Sequence, residues 1–502
     1  MKQSGSPHSA NAQNETEVFN EFGNTDVTVG TQVRHRTLGT TQSTQPKIMV
    51  YATNTGKKWM SAWILPVVAL LLSCGGNYRN STAPDQSPGS PAIKSGVTVS
   101  RDYLGMHLQC VAAPCAHGVL YPYPSSLGFT TVRLWDTAYW ANIEPSRGGF
   151  DWSVLDSLIS QSTPRGVTSF IFTLGDVPEW ASSNPTGDCG ASSTGQCYAP
   201  DLHSMDDFLA TFVQRECGVV RYYEAWNEPN LADFWRGTNS QLLTVVQHLY
   251  SIAKDPRNCG CSDGVCSPGG GANPNEVLTP SVNTISTDSG RQWLANWFAL
   301  LDKSGLNADI VSFHGYESQP ETMYQDIAWL RSLADAHGLK EAEIWDTEAD
   351  WGQEQAPDEE REASWLMRSY LAQAASGVSR FYWYAFGSCS WGALYGPSCG
   401  ALPDQQQGMR EAGIAYGTIS KWLIGATIEG CSIDNEQTWS CTLTRPNGYQ
   451  ALVMWNVGFS TQAKVPEPVF VQYRDWQNTR RSLGTTVAIS LMPILLENES
   501  AF

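Results

Sequence analysis

From about Tyr103 the sequence alternates between two textures, and that rhythm sets the architecture. A short apolar run rich in β-branched and aromatic residues is followed by a loop, an amphipathic stretch, a glycine and the next run. The joints are visible in "STPRGVTSFIFTL", "LDKSGLNADIVSF", "LADAHGLKEAEIW" and "LAQAASGVSRFYW". In each, Gly166, Gly305, Gly338 or Gly377 stands where a helix would end, a place that favours a left-handed residue. Strands alternating with helices imply a parallel sheet covered by helices. Eight strands are expected, near "DYLGMHL", "TVRLW", "SFIFTL", "RYYEAW", "EVLTPS", "DIVSFH", "EIWDT" and "RFYWYAF". Spread over residues 101–423, they fit an α/β fold of the (β/α)8 TIM barrel type with enlarged loops. A doubly wound open sheet is the rival, but no glycine-rich phosphate loop follows the first strand.

The texture changes on both sides of the barrel. Residues 424–502 hold strand-like runs such as "WSCTLTRPNGYQALVMWNV", with Asn447-Gly448 as a hairpin signal. They are expected to form a small C-terminal β-sandwich, joined by a strand from Ile93 to Ser100. Residues 1–56 are polar and lack periodicity, as a disordered or mis-annotated extension would. Residues 57–74 have the layout of an export signal, with Lys57 and Lys58 before a short apolar run. Leu71-Leu72-Ser73-Cys74 resembles a bacterial lipobox, in which Cys74 would be lipidated. A signal this far into the chain makes Met49 an alternative start. Residues 75–100 read as a Ser/Pro/Gly-rich tether. The expectation is an exported, lipid-anchored cell-envelope protein, otherwise a periplasmic or secreted one, that meets the membrane only through Cys74.

Cysteine usage agrees with export. Cys110 and Cys115, Cys189 and Cys197, Cys389 and Cys399, and Cys431 and Cys441 lie close enough to pair as disulfides. Cys217, Cys259, Cys261 and Cys266 supply two more bridges of open connectivity. A metal knot at Cys259–Cys261–Cys266 is the alternative, but the glycine-rich segment around it carries no histidine. A net charge of −18 and a pI near 4.8 argue against nucleic acid, whose phosphates attract basic surfaces. The 20 Trp residues suit packing and flat sugar-stacking surfaces alike.

In a barrel of this type chemistry gathers at the C-terminal ends of the strands. Those ends offer His107, then Arg133 and Asp136, then Trp180 in "GDVPEW", then Asn227 and Glu228. The later strands offer His314 and Tyr316 in "FHGY", Glu348 in "IWDTEADW", and Trp383 in "FYWYAF". Glu228 and Glu348 lie three strands apart, and glycoside cleavage needs such a pair. One carboxyl group protonates the leaving oxygen while the other meets the developing oxocarbenium ion. Asp136, Glu224, Asp346 and Asp350 are rival carboxylates. Asp346 comes two residues before Glu348, so strand alternation puts it on the same side and makes it the substitute nucleophile. Gly260-Cys261-Ser262-Asp263-Gly264 has G-x-S-x-G spacing but lies in the cysteine- and glycine-rich loop rather than between a strand and a helix, and there is no H-E-x-x-H, which sets aside serine hydrolases and zinc proteases.

The "WNEP" motif ending the fourth strand and the glutamate ending the seventh resemble the retaining glycoside hydrolases of clan A. "RLWD", "NIEPSRGGFDWSVLD" and "VPEWAS" are similar to segments of family 39 and its relatives, over roughly Tyr103 to Leu423. This resemblance implies a retaining enzyme that cleaves β-glycosidic bonds of plant or microbial cell-wall glycans, with no metal and no cofactor. It makes Glu228 the general acid/base, Glu348 the nucleophile and Asn227 the holder of the sugar 2-hydroxyl. Arg133 and Tyr316 would flank Glu348, Trp383 would form an aromatic floor, and His107 and His314 would be polar wall contacts. The Ala349-Asp350 that follows Glu348 departs from the family pattern and leaves the sugar open. A non-catalytic glycan-binding surface lipoprotein on the same barrel is the alternative; it would use the aromatics but has no need of both glutamates.

Overall fold

A computed structural model describes residues 96–108, 125–135, 137–317, 319–350, 358–386, 409–466 and 469–499. Cys74, Cys110, Cys115, Asp136, Cys389 and Cys399 lie outside these residues, so the expectations placed on them stay with the sequence. Eight parallel strands close a barrel. They are β1 (Leu104–His107), β2 (Thr131–Arg133), β3 (Ser169–Thr173), β4 (Val220–Glu224), β5 (Glu276–Leu278), β6 (Ile310–His314), β7 (Glu343–Ala349) and β8 (Arg380–Trp383). Every expected strand is in the barrel, and β8 pairs with β1 at Phe381↔Leu104 to close it. The longer helices among the described residues are α1 (Ser153–Ser162), α2 (Leu202–Arg215), α3 (Asn239–Ala253), α4 (Asp288–Ser304), α5 (Met323–Ala336), α6 (Glu359–Ala375) and α7 (Glu411–Leu423). Gly166, Gly305, Gly338 and Gly377 all adopt positive φ, at 102°, 68°, 77° and 86°, as the joints required.

Strand alternation sorts the side chains into two layers. Ile171, Tyr222, Leu278, Ile310, Trp345 and Tyr382 fill the barrel interior. Their immediate neighbours, including Phe170, Phe172, Tyr223, Val277, Val311, Ile344 and Phe381, face the helices and join the main core. Gly105 shows how tightly the interior is filled: a Cβ there would come within 2.4 Å of the Tyr382 ring. Tyr382 in turn shares a 2.6 Å hydrogen bond with Thr131. At the barrel floor Arg380 lies over Trp345 at 4.2 Å and Tyr222 at 4.5 Å.

The C-terminal part has one large layer and one small one. Val97–Thr98, β9 (Thr427–Ile433), β10 (Thr438–Arg445), β11 (Tyr449–Asn456), β16 (Ile494–Glu497), β13 (Gln472–Arg474) and β14 (Arg480–Ser482) form one seven-stranded sheet in that order. A ribbon of β12 (Thr461–Lys464) and β15 (Thr486–Ile489) covers one face through Met454, Val487, Ile489, Ile494 and Leu496. On the other face Trp439 stacks on Tyr324 of α5 at 5.0 Å, and Trp455 Nε1 donates to Glu321 at 2.7 Å. The strand expected before the barrel is Val97–Thr98, which pairs with β9. Asn447 and Gly448 form the β10–β11 turn with φ of 71° and 84°.

Four disulfides occur among the described residues: Cys189–Cys197, Cys217–Cys259, Cys261–Cys266 and Cys431–Cys441. The Cys259–Cys261–Cys266 cluster therefore resolves into bridges. No helix among the described residues is long and apolar enough to cross a membrane.

Candidate active site

Five strand ends meet at one place, and Arg133 is its hub. Arg133 is fully buried at the end of β2 and projects into the barrel mouth. Its Nε donates to Glu224 Oε2 at 2.7 Å, its Nη1 to Glu348 Oε2 at 2.6 Å, and its Nη2 to Asn227 Oδ1 at 2.8 Å. A planar guanidinium can serve three acceptors in fixed directions, which an ammonium group cannot do. Tyr316 Oη donates to the other oxygen of Glu348 at 2.7 Å. Burial first and Glu348 second push the Tyr316 hydroxyl well above its ordinary range, so it stays a donor.

Glu228 faces Glu348 across the mouth. His314 Nδ1 lies 2.7 Å from Glu228 Oε1 and 4.0 Å from Glu348 Oε1. One oxygen from each carboxylate and one His314 nitrogen all fall within 4.8 Å of one another. Among the described residues this is the one cluster that could hold a metal ion. Each of the three already has a protein partner, so an ion would have to displace hydrogen bonds. Both carboxylates are nearly buried, at 8% and 7% exposure, yet open to the mouth.

The backbone at Glu228 is left-handed, with φ of 41°. A side-chain-bearing residue rarely adopts that conformation, so its surroundings must enforce it. Glu228 N donates to Ser281 O at 2.8 Å, and Asn227 forms an isolated bridge with Ser281. Asn230 then clasps the loop after β5: its Nδ2 donates to Asn283 Oδ1 at 2.8 Å and its Oδ1 accepts from Asn283 N at 3.1 Å. The Asn-Glu-Pro-Asn run thus contributes at both ends, one asparagine in the site and the other fastening the loop.

His107 sits at the end of β1 with Nε2 2.9 Å from the Thr347 carbonyl. A carbonyl only accepts, so Nε2 carries the proton and Nδ1 presents its lone pair. Burial, followed by the charge of Arg133, pushes His107 well below its ordinary value, which keeps the ring neutral. Its Nδ1 and the Asn227 Nδ2 are buried with no hydrogen-bond partner among the described residues.

Two rival carboxylates take structural places. Glu224 is fully buried and accepts from Arg133, Thr173, Ser281 and Thr347. Burial opposes its ionisation, but Arg133 and the surrounding hydroxyls prevail and hold it below the usual carboxylate value. Asp346 does not point the same way as Glu348, contrary to simple alternation. A register shift between Asp346 and Glu348 puts an extra residue into β7, so Thr347 and Glu348 both reach the mouth. Asp346 instead accepts from Gln373 of α6 at 2.6 Å and from Gly315 N at 3.0 Å. Burial pushes its carboxyl well above the ordinary range. Asp350 is also fully buried, and its charge acts on Tyr316.

Trp383 is corrected by one residue. On β8 the inward positions are Arg380 and Tyr382, so Phe381 and Trp383 face the helices. Trp383 is fully buried and packs on Trp365 and Tyr370 of α6, at 6.0 and 6.4 Å. It has no surface to offer a ligand in the mouth. Tyr384 takes the inward place, half-buried, with its ring in edge contact with His107 at 4.9 Å. Counting by twos from Tyr382 would have found it. Trp180 is a packing residue: it lies edge-on to Trp140 at 6.0 Å, and its Nε1 donates to the Glu144 carbonyl at 2.9 Å.

Comparison with known proteins adds a family to this geometry. Residues 271–416, which run from before β5 into α7 and include Glu348, match the family model described as "Glycosyl hydrolase catalytic core". No curated protein matches the chain. Among solved structures, a family 39 glycoside hydrolase from Bacteroides cellulosilyticus WH2 is similar, at TM-score 0.57 and 16% identity over 79% of this chain and 81% of that one. A GH39 β-xylosidase from Caulobacter crescentus gives TM-score 0.57 and 16% identity over 81% and 98%. The GH39 enzyme from Xanthomonas axonopodis pv. citri gives 0.54 and 16% over 82% and 99%. At these identities the solved structures speak for the shared fold. Taken with that barrel, the family match identifies this chain as a glycoside hydrolase, carrying a glycosyl hydrolase catalytic core.

Proposed function

We propose that the protein is a retaining β-glycosidase acting by double displacement, with Glu348 as nucleophile and Glu228 as general acid/base. The observation that carries this reading is the spacing: one oxygen of Glu228 and one of Glu348 lie within 4.8 Å of each other across the barrel. Direct attack by one carboxylate suits side chains roughly 5 Å apart, whereas an inverting pair needs about 6.5–9.5 Å to admit a water. In the first step Glu348 attacks the anomeric carbon while Glu228 gives its proton to the departing oxygen. In the second, Glu228 takes a proton from water, and that water displaces Glu348.

The neighbours fit those roles. Two donors on Glu348, Arg133 and Tyr316, favour its ionised form. Esterification would remove that negative charge, easing proton loss from Glu228 for the second step. The Asn227 amide is held by Arg133 at its oxygen, which leaves Nδ2 as a donor for a sugar hydroxyl. His107 Nδ1 offers a neutral acceptor, Tyr384 an aromatic wall, and His314 a group that orients Glu228. Cell-wall β-glycans are the proposed substrates, xylose-based chains first. The disulfides fit an exported protein, and the lipobox cysteine Cys74 is the proposed anchor. Residues 101–423 and 424–502 are the proposed domain limits.

The test is hydrolysis of a panel of aryl β-glycosides by the wild type, Glu228→Ala and Glu348→Ala, with azide added. Rescue of Glu228→Ala to the β-glycosyl azide and of Glu348→Ala to the α-glycosyl azide is expected. Full activity in either variant, or an inverted product from the wild type, would refute the mechanism.

A further inference from the structure

The catalytic pair accounts for the barrel mouth but leaves a second cavity unexplained. It measures about 300 Å³ and opens where the barrel meets the sheet domain. One wall is the N-terminal turn of α6, with Asp358, Glu360 and Arg361; the other is the Gly458–Ser460 and Ser490–Met492 turns. Ser364 Oγ donates to the Leu491 carbonyl at 2.7 Å, fastening the two walls. Helix N-termini and strand C-termini share one face of such a barrel, so this cavity opens on the side that carries Glu348. α6 is the helix that directly follows the strand bearing Glu348.

Its lining narrows the occupant. Phe459 is 56% exposed and Leu491 39% exposed, among the few large apolar side chains so displayed within the described residues. Charged and hydroxyl groups ring them. A purely apolar ligand would strand those charges, and an anionic polymer would meet Asp358 and Glu360 on a chain of net charge −18. A sugar ring suits both parts: its C–H face stacks on an aromatic side chain, and its hydroxyls bridge carboxylates and guanidinium.

We propose that this junction cleft is a distal glycan subsite, in which Phe459 stacks on a sugar unit of a polymer whose scissile bond lies at Glu228 and Glu348. The proposal rests on the glycosidase reading and deepens it: the enzyme engages polymeric chains, and the sheet domain takes part in binding. Phe459 and Arg361 touch the glycan remote from the reacting atoms.

The experiment uses the full chain carrying Phe459→Ala, Phe459→Trp or no change, with two readouts. In native gels containing soluble arabinoxylan, mixed-linkage β-glucan or galactomannan, the Glu348→Ala protein is expected to be retarded by at least one polymer. Adding Phe459→Ala should relieve most of that retardation, and Phe459→Trp should restore it. In kinetics, Phe459→Ala is expected to lower kcat/KM on the retarding polymer by about tenfold and to leave an aryl monoglycoside within about twofold. Equal loss on both substrates, unchanged retardation, or no retardation by any polymer overturns the subsite. Failure of the catalytic reading is separate: it would appear as hydrolysis surviving Glu348→Ala, whatever the gels show.

Discussion

Removing the Arg133 side chain should do more harm than the loss of one hydrogen bond, and the pH dependence of that harm identifies its cause. Arg133 is fully buried and compensates Glu224, also fully buried, and Glu348. Breaking a buried pair by taking away one partner typically costs about 3–5 kcal/mol, because the remaining charge is left without a counter-charge. Arg133→Ala should therefore lose about that much unfolding free energy at pH 7. In the wild type the Glu224 pKa is depressed, so its stabilisation is present above the unfolded value and is lost as pH falls through the folded one. Without Arg133, burial dominates and the folded pKa rises above the unfolded value, so the sign reverses. The variant should then recover as pH falls and Glu224 takes up a proton. Guanidinium titrations at pH 7 and pH 5 would measure this, with Arg133→Ala/Glu224→Gln as the control. The deficit should shrink at pH 5, and the double variant should be more stable than Arg133→Ala at pH 7. A deficit independent of pH, or a double variant no better than additive, would refute the counter-charge argument.

Three further outcomes are expected. Burial first, then Asp326, pushes Glu317 up to about 8, so its contribution declines as pH rises from the unfolded value toward 8. Glu317→Gln should flatten stability against pH across that window by up to about 1.4 kcal/mol per pH unit, read by thermal melts. Gly105→Ala should destabilise by about 1–3 kcal/mol, since the added Cβ meets the rigid Tyr382 ring at 2.4 Å; chemical unfolding would show it. Asn230→Ala frees the loop behind Glu228, so on an aryl glycoside kcat should fall roughly tenfold with KM little changed, and Asn230→Asp should retain more activity.

The barrel was legible because its signals are local. Each strand is a short apolar run, and Gly166, Gly305, Gly338 and Gly377 mark helix ends by a backbone need that few other residues meet. The residues at the barrel mouth were legible because they follow those strands directly. Trp383 was misplaced because aromatic identity was weighed ahead of side-chain alternation along β8. Asp346 could not be placed from sequence: the extra residue in β7 exists only relative to the registers of β6 and β8. The clasp between Asn230 and Asn283 and the fourfold hydrogen bonding of Glu224 are likewise properties of neighbouring strands, with no signature in any one segment. The junction cleft arises from two regions far apart in the chain.

The pairing of Val97–Thr98 with β9 has a consequence for how the molecule is made. Thr98 and Thr427 hydroxyls meet at 2.8 Å across 329 positions, outside the barrel and just beyond both of its ends. A ribosome delivers the early strand long before its partner emerges, so this seam is sewn late. β1 likewise waits for β8, and until β8 emerges the nascent barrel presents two unsatisfied strand edges to its surroundings. Truncation after α7 would leave a barrel whose entry strand has lost its hem, and aggregation during refolding is its expected failure.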